Sequence, residues 1–196
     1  MLAGVHKRLY ALAEEHGGLF TAQKAREIGF APAHIVNLAA RGEIERRSRG
    51  VYRLPLYPRN EHEALQEAIL WPQTHRRLAY SLISHTSALE LYGISDVNPA
   101  KIHVVIPTQT RIRRKTPAWL VFHHAELMPA EITEHEGIPV TSPFRSILDA
   151  AEIHIGSAIL AGAIQDGFKI GLIRKHEYDT LNRRLKLNLS EIPRYA

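Results

Sequence analysis

The sequence predicts an α+β fold in two parts. Three observations carry that prediction. Glycines and a proline cut the first fifty or so residues into three short stretches of helical spacing and one pair of extended stretches. The segment PLYPRN, residues 55–60, then interrupts the chain with two prolines and few apolar anchors. Beyond it, helical stretches come first, a run of short strands follows, and helical stretches close the chain. The expected organisation is therefore a small domain over residues 1–55, a linker over 56–60 and a mixed domain over 61–196.

In the first domain, residues 5–16 place Val5, Leu9, Leu12 and Ala13 at helical spacing, and Gly17 and Gly18 end that helix. Leu19 and Phe20 form a short extended piece. Thr21 suits the N-cap of a second helix with Ala22, Ala25 and Ile28 on one face, closed by Gly29. Pro32 suits the first turn of a third helix, whose core face carries Ile35, Leu38 and Ala39. Gly42 closes it. Residues 43–47 and 50–54 then read as two strands joined by a tight turn through Ser48, Arg49 and Gly50. Three short helices followed by a two-stranded hairpin is the order of a winged helix-turn-helix domain. A small helical bundle with an incidental hairpin is the alternative.

In the second domain, residues 61–71 and 84–92 read as helices, with Ser84 as N-cap and Gly93 just past the end. KIHVVIP, residues 101–107, is a strand. Residues 111–115 and 118–124 read as further strands, and 132–136 with 138–141 as a hairpin around Gly137. Ser142 and Pro143 open a helix that runs through Glu152. Two more helices are expected at 157–168 and 174–188. The sheet is expected to be small and mainly antiparallel. No internal repeat or low-complexity tract interrupts this order.

Charge separates the two parts. The net charge is +5. Residues 1–60 hold ten Lys and Arg against five Asp and Glu, whereas residues 61–196 hold fifteen of each. The whole excess thus lies in the first domain, as expected of a module that meets a polyanion. Cysteine is absent, which excludes disulfides, thiolate metal sites and cysteine nucleophiles. The first residues lack the long apolar core of a signal peptide, and no stretch approaches the length of a membrane span. A cytoplasmic protein without membrane contact is expected.

No GxGxxG, GxSxG, HExxH or phosphate-loop pattern occurs. The twelve histidines invite a metal reading. His123 and His124 are neighbours in a strand and face opposite ways, His85 follows Ser84 in a helix, and His103 lies inside a strand. Neither a metal site nor a cofactor nor catalysis is expected from that spacing.

In a helix-turn-helix the second helix of the motif enters the major groove. Here it carries His34, Asn37 and Arg41 on one polar face. Asparagine there suits adenine and arginine suits guanine; plain surface residues are the alternative. Arg46, Arg47, Arg49 and Arg53 crowd the hairpin, a cation strip only partly offset by Glu43 and Glu45. These seven residues are the expected contacts to double-stranded DNA. A second basic run, Arg111, Arg113, Arg114 and Lys115, is expected either to protect a sheet edge or to meet DNA or a partner.

The stretch from GGLFTAQKAREIGF to RGVYRLP resembles the winged-helix domain of AbiEi-type antitoxins, from abortive-infection, type IV toxin–antitoxin systems. ISHTSALELYGISD, KIHVVIP and GIPVTSPFRSILDAAE follow the same family's order, so the resemblance spans about residues 5–155. It implies two tasks: repression of the family's own promoter through inverted repeats, and opposition to a neighbouring nucleotidyltransferase-fold toxin. A monomer or weak dimer is expected. A stand-alone regulator without a toxin and a protein that binds the toxin directly are the alternatives. The position of Arg47 is commonly apolar in such wings, which makes Arg47 the weakest of the phosphate contacts. The same segments also resemble the front of proteins that end in a very-short-patch-repair-type endonuclease domain. This chain stops before such a module would fit, so no nuclease role is expected.

Overall fold

The structure, a computed structural model, describes residues 2–74 and 78–187, with the backbone alone for residues 2–6. Two compact units divide the chain, Met1–Ser81 and Leu82–Ala196.

The first unit runs α1 (Leu2–Glu14), β1 (Leu19–Thr21), α2 (Ala22–Glu27), α3 (Pro32–Ala40), β2 (Glu45–Ser48), β3 (Val51–Arg53) and α4 (Glu63–Leu70). A 3-10 turn, Trp71–Thr74, follows α4. The three strands form an antiparallel sheet in the order β1-β3-β2. This is a winged helix, and local chemistry explains its boundaries. Thr21 caps α2, its hydroxyl accepting from the Lys24 amide at 3.1 Å. Pro32 occupies the first turn of α3, where a missing N–H costs nothing. Leu9, Phe20, Phe30, Ile35, Leu38 and Ile44 meet in one apolar core. Each contributes on the order of 1.5–3 kcal/mol by leaving water. Of the residues expected on the core face of α1, Leu9 and Ala13 are buried; the side chain of Val5 lies outside the described residues.

Two glycines are required where they stand. Gly18 has φ +92° and a Cβ there would lie 2.7 Å from Tyr57. Gly50, in the wing turn, has φ +86° and a Cβ there would lie 2.9 Å from Thr74.

The approach of Thr74 to Gly50 shows why the first unit extends past residue 60. The expected linker is not a free tether: Tyr57 packs on the winged-helix core, and its carbonyl accepts from Arg53 Nη2 at 2.8 Å. Helix α4, expected in the second domain, belongs to the first unit. Its Glu63 and Glu67 are buried against arginines of the wing.

The second unit runs β4 (Leu82–Ile83), α5 (His85–Leu91), β5 (Ile102–Ile106), β6 (Leu120–His124), β7 (Ile132–His135), β8 (Ile138–Thr141), α6 (Pro143–Glu152), α7 (Ser157–Lys169) and α8 (Lys175–Leu185). The sheet order is β6-β5-β4-β8-β7. Among the described residues it is mixed: β4–β5 and β7–β8 are antiparallel, β5–β6 and β4–β8 parallel. Ser142 caps α6 by accepting from the Arg145 amide, and Tyr92 donates to the Thr141 carbonyl at 2.8 Å, tying α5 to β8. Asn188, the expected end of α8, lies outside the described residues.

One expected strand is absent. Residues 111–115 are extended coil, with Arg111, Arg113 and Lys115 exposed and Ile112 and Arg114 half-buried. The alternation is as expected, but the pairing is not. β5 and β6 are parallel, so the chain must return along the length of β5 before pairing again. The basic run lies on that return, and β6 forms the sheet edge. These residues are therefore not the edge strand that the alternation suggests.

Candidate nucleic-acid interface and a histidine cluster

Helix α3 buries Ile35 and Leu38 and turns Val36, Asn37 and Ala40 outward. Asn37 is exposed, as is Arg41 just beyond the helix. Arg41 pairs with Glu43 at 2.8 Å, but its side chain is 58% exposed; such surface pairs hold weakly. His34 is half-buried, its ring 5.5 Å from that of Phe30. It sits at the start of the helix and closer to the core than Asn37. Val36 was not among the expected contacts, yet it is 58% exposed on this face. A β-branched apolar side chain in the open on such a helix is suited to a thymine methyl. Its exposure beside buried Ile35 was the available signal.

The four wing arginines stand in different surroundings. Arg46 and Arg49 are exposed. Arg53 is 2% exposed, and its Nε donates to Glu63 at 2.9 Å. The rest of its guanidinium donates to the carbonyls of Leu54, Pro55 and Tyr57. A group so enclosed cannot reach a phosphate, which corrects the expectation for Arg53. Arg47 reaches Glu45, Glu63 and Glu67 at 3.3–3.5 Å. Burial opposes its charge, but the hydrogen bond to Glu45 and the fields of Glu67 and Glu63 prevail and hold its pKa above the ordinary value. Arg47 is thus tied to the carboxylates of α4, although the residue stays exposed. Both partners lie past residue 60, beyond the domain boundary expected from the prolines of residues 55–60.

In the second unit, parallel pairing sets His103 opposite Val121 and Val105 opposite His123. Alternation then brings His103 and His123 to one face of the sheet. Their nitrogens Nδ1 and Nε2 lie 2.9 Å apart. His85, at the start of α5, stacks on His123 with ring centroids 3.5 Å apart. Its Nδ1 lies 2.9 Å from Ser84 Oγ. Burial, then the neighbouring histidines, lower the pKa of His85 to about 3 and of His123 to about 4. Burial and Lys101 also lower His103. His124 faces away, with Nε2 3.1 Å from the Thr110 carbonyl. The expected opposition of His123 and His124 holds; what sequence spacing missed is that ligand-like groups converge from three separate elements.

Helix α6 carries a further ion pair. Arg145 reaches Asp149 at 2.6 Å and Glu131 at 2.9 Å. Burial raises the Asp149 carboxyl to about 6 against the pull of Arg145, with Glu152 and Glu131 adding to the rise. Its Oδ2 has no hydrogen-bond partner among the described residues. A carboxyl whose pKa rises on folding contributes stability below its unfolded pKa and loses that contribution as pH climbs through the folded value. The difference in unfolding free energy between wild type and Asp149→Asn should therefore shift against wild type by up to about 3 kcal/mol between pH 4 and pH 7. Urea titrations of both proteins across that range check it; a difference that does not change with pH would contradict the assignment.

Two family models match parts of the chain. Residues 7–55 match a family model described as a transcriptional regulator, AbiEi antitoxin, and residues 80–162 match one described as the AbiEi antitoxin C-terminal domain. The fold is similar to the crystal structure of the RV2827C protein from Mycobacterium tuberculosis, with a TM-score of 0.55 at 15% identity. That likeness covers 97% of this chain and 72% of the other. No curated protein matches the chain.

Proposed function

The chain belongs to the AbiEi antitoxin family, and from that premise we propose that it represses its own promoter and counters a nucleotidyltransferase-fold toxin. The observation that supports promoter binding is exposure within one small unit: Val36, Asn37 and Arg41 at α3 and Arg46 and Arg49 on the wing all reach solvent. The helix suits the major groove, where Asn37 reads adenine and Val36 meets thymine. Arg46 and Arg49 meet phosphates beside it, and His34 steadies the helix start. Arg111, Arg113, Arg114 and Lys115 are a separate basic surface that extends the field toward a polyanion or an acidic partner. Opposition to the toxin is assigned to the second unit.

Titrating the protein against its upstream DNA at several salt concentrations tests the first part. Binding should weaken with salt at a log–log slope of about −0.9 per phosphate neutralised. A salt-independent affinity would remove the proposal. For the second part, co-expression with the neighbouring reading frame should restore growth; toxicity unrelieved by the full chain would end that reading.

A further inference from the structure

We propose that His85, His103 and His123 form a binding site for a divalent first-row transition metal, Zn²⁺ foremost, with an open coordination position. One ligand nitrogen from each histidine lies within 4.8 Å of the other two. A tetrahedral zinc centre with Zn–N bonds near 2.0–2.1 Å needs ligand nitrogens about 3.3 Å apart. His103 Nδ1 and His123 Nε2 are already 2.9 Å apart, and a tilt of His85 out of its stack on His123 completes the set.

Three features argue for a ligand site over incidental packing. First, three separate elements each bring one imidazole nitrogen into a single cluster on one face of the sheet, with His103 Nδ1 and His123 Nε2 in direct contact. Second, His85 holds φ at +55°, in the left-handed region that non-glycine residues adopt uncommonly, histidine more often than most. Strain of that kind costs on the order of 1–3 kcal/mol and concentrates at functional sites. Here it turns the first residue of α5 onto the β5–β6 face. Third, an outer layer orients the ligands. Ser84 Oγ engages His85 Nδ1, leaving Nε2 to the metal. Ser87 Oγ accepts from the His103 amide at 3.0 Å, which fixes the head of β5 to α5.

The donor set indicates the kind of metal. Three imidazoles without thiolate or carboxylate suit zinc, copper or nickel and disfavour magnesium and calcium. Three protein ligands leave one position for water, as in exchangeable zinc centres and unlike closed structural ones. Nothing in the spacing of adjacent histidines foretold the group, because its members stand on α5, β5 and β6.

Untagged full-length protein, stripped with a chelator, should bind Zn²⁺ at one site by isothermal titration, and Co²⁺ should give the visible bands of a tetrahedral centre. His103→Gln and His123→Gln should each lower Zn²⁺ affinity by at least about 100-fold and abolish the Co²⁺ bands. Ser84→Ala, which removes only an orienting group, should lower affinity about 10–100-fold. His124→Ala, on the opposite side of β6, should leave binding unchanged. Circular dichroism identifies any variant that fails to fold, and either Gln variant that keeps its fold suffices for the test. Absence of Zn²⁺ binding at tens of micromolar, or binding that survives both Gln variants, would overturn the proposal.

Discussion

Replacing Arg53 with alanine should destabilise the winged-helix unit by about 3–5 kcal/mol, measured as a lower urea midpoint at unchanged m-value. The magnitude follows from what the side chain holds. Its guanidinium is 2% exposed and meets Glu63 and three backbone carbonyls. Removing it leaves the Glu63 carboxylate, itself buried, with the longer contact to Arg47 at 3.5 Å as its ion pair among the described residues. A buried charge that loses its partner retains its desolvation cost. The pair as such is a weaker source of stability than its rupture suggests. Arg53→Met combined with Glu63→Leu should therefore recover most of the loss, since two apolar side chains need no partner. If the double variant is no better than Arg53→Ala, the cost lies in packing or in the three carbonyl bonds. The same logic predicts that a fragment ending at residue 60 will fold poorly. It would carry Arg53 and Arg47 without Glu63 or Glu67.

That ion-pair cluster also marks where sequence reading stopped. Helix boundaries were legible because their causes are local: Thr21 and Ser142 as caps, Pro32 and Pro143 in first turns, glycines at the ends. The wing was legible from alternation and from the turn at Gly50. The division of labour among its arginines was not, because it depends on which residues lie across from them. Arg53 and Arg46 are equivalent in composition, yet one is enclosed and the other exposed. The contacts that separate them come from α4, ten to twenty residues further along the chain. Residues 111–115 show the same limit. Their alternation is real, but whether an alternating segment pairs depends on the direction of its neighbours. The histidine cluster required the register of β5 against β6, which no single stretch contains.

On the proposed reading, Asn37→Ala and the pair Arg46→Ala with Arg49→Ala should fail in different ways. Asn37 offers both an acceptor and a donor, the pattern that adenine complements in the major groove. Its loss should cost about 1–3 kcal/mol on the promoter duplex and little on a scrambled duplex, with the salt slope unchanged. The two wing arginines carry no base information. Removing both should weaken the two duplexes alike and flatten the log–log salt slope by about 1.8, or 0.9 for each phosphate released. Val36→Ser should fall with Asn37, lowering promoter preference alone, because it exchanges an apolar contact for a hydroxyl without altering charge. Fluorescence anisotropy on both duplexes across salt separates the cases. Equal losses on both duplexes for Asn37→Ala would place α3 on the backbone and leave sequence reading to some other element. An unflattened slope in the wing variant would show that Arg46 and Arg49 never reach the phosphates. Arg47→Ala provides the internal comparison: its guanidinium is engaged by three carboxylates, so its removal should lower stability more than it changes the salt slope.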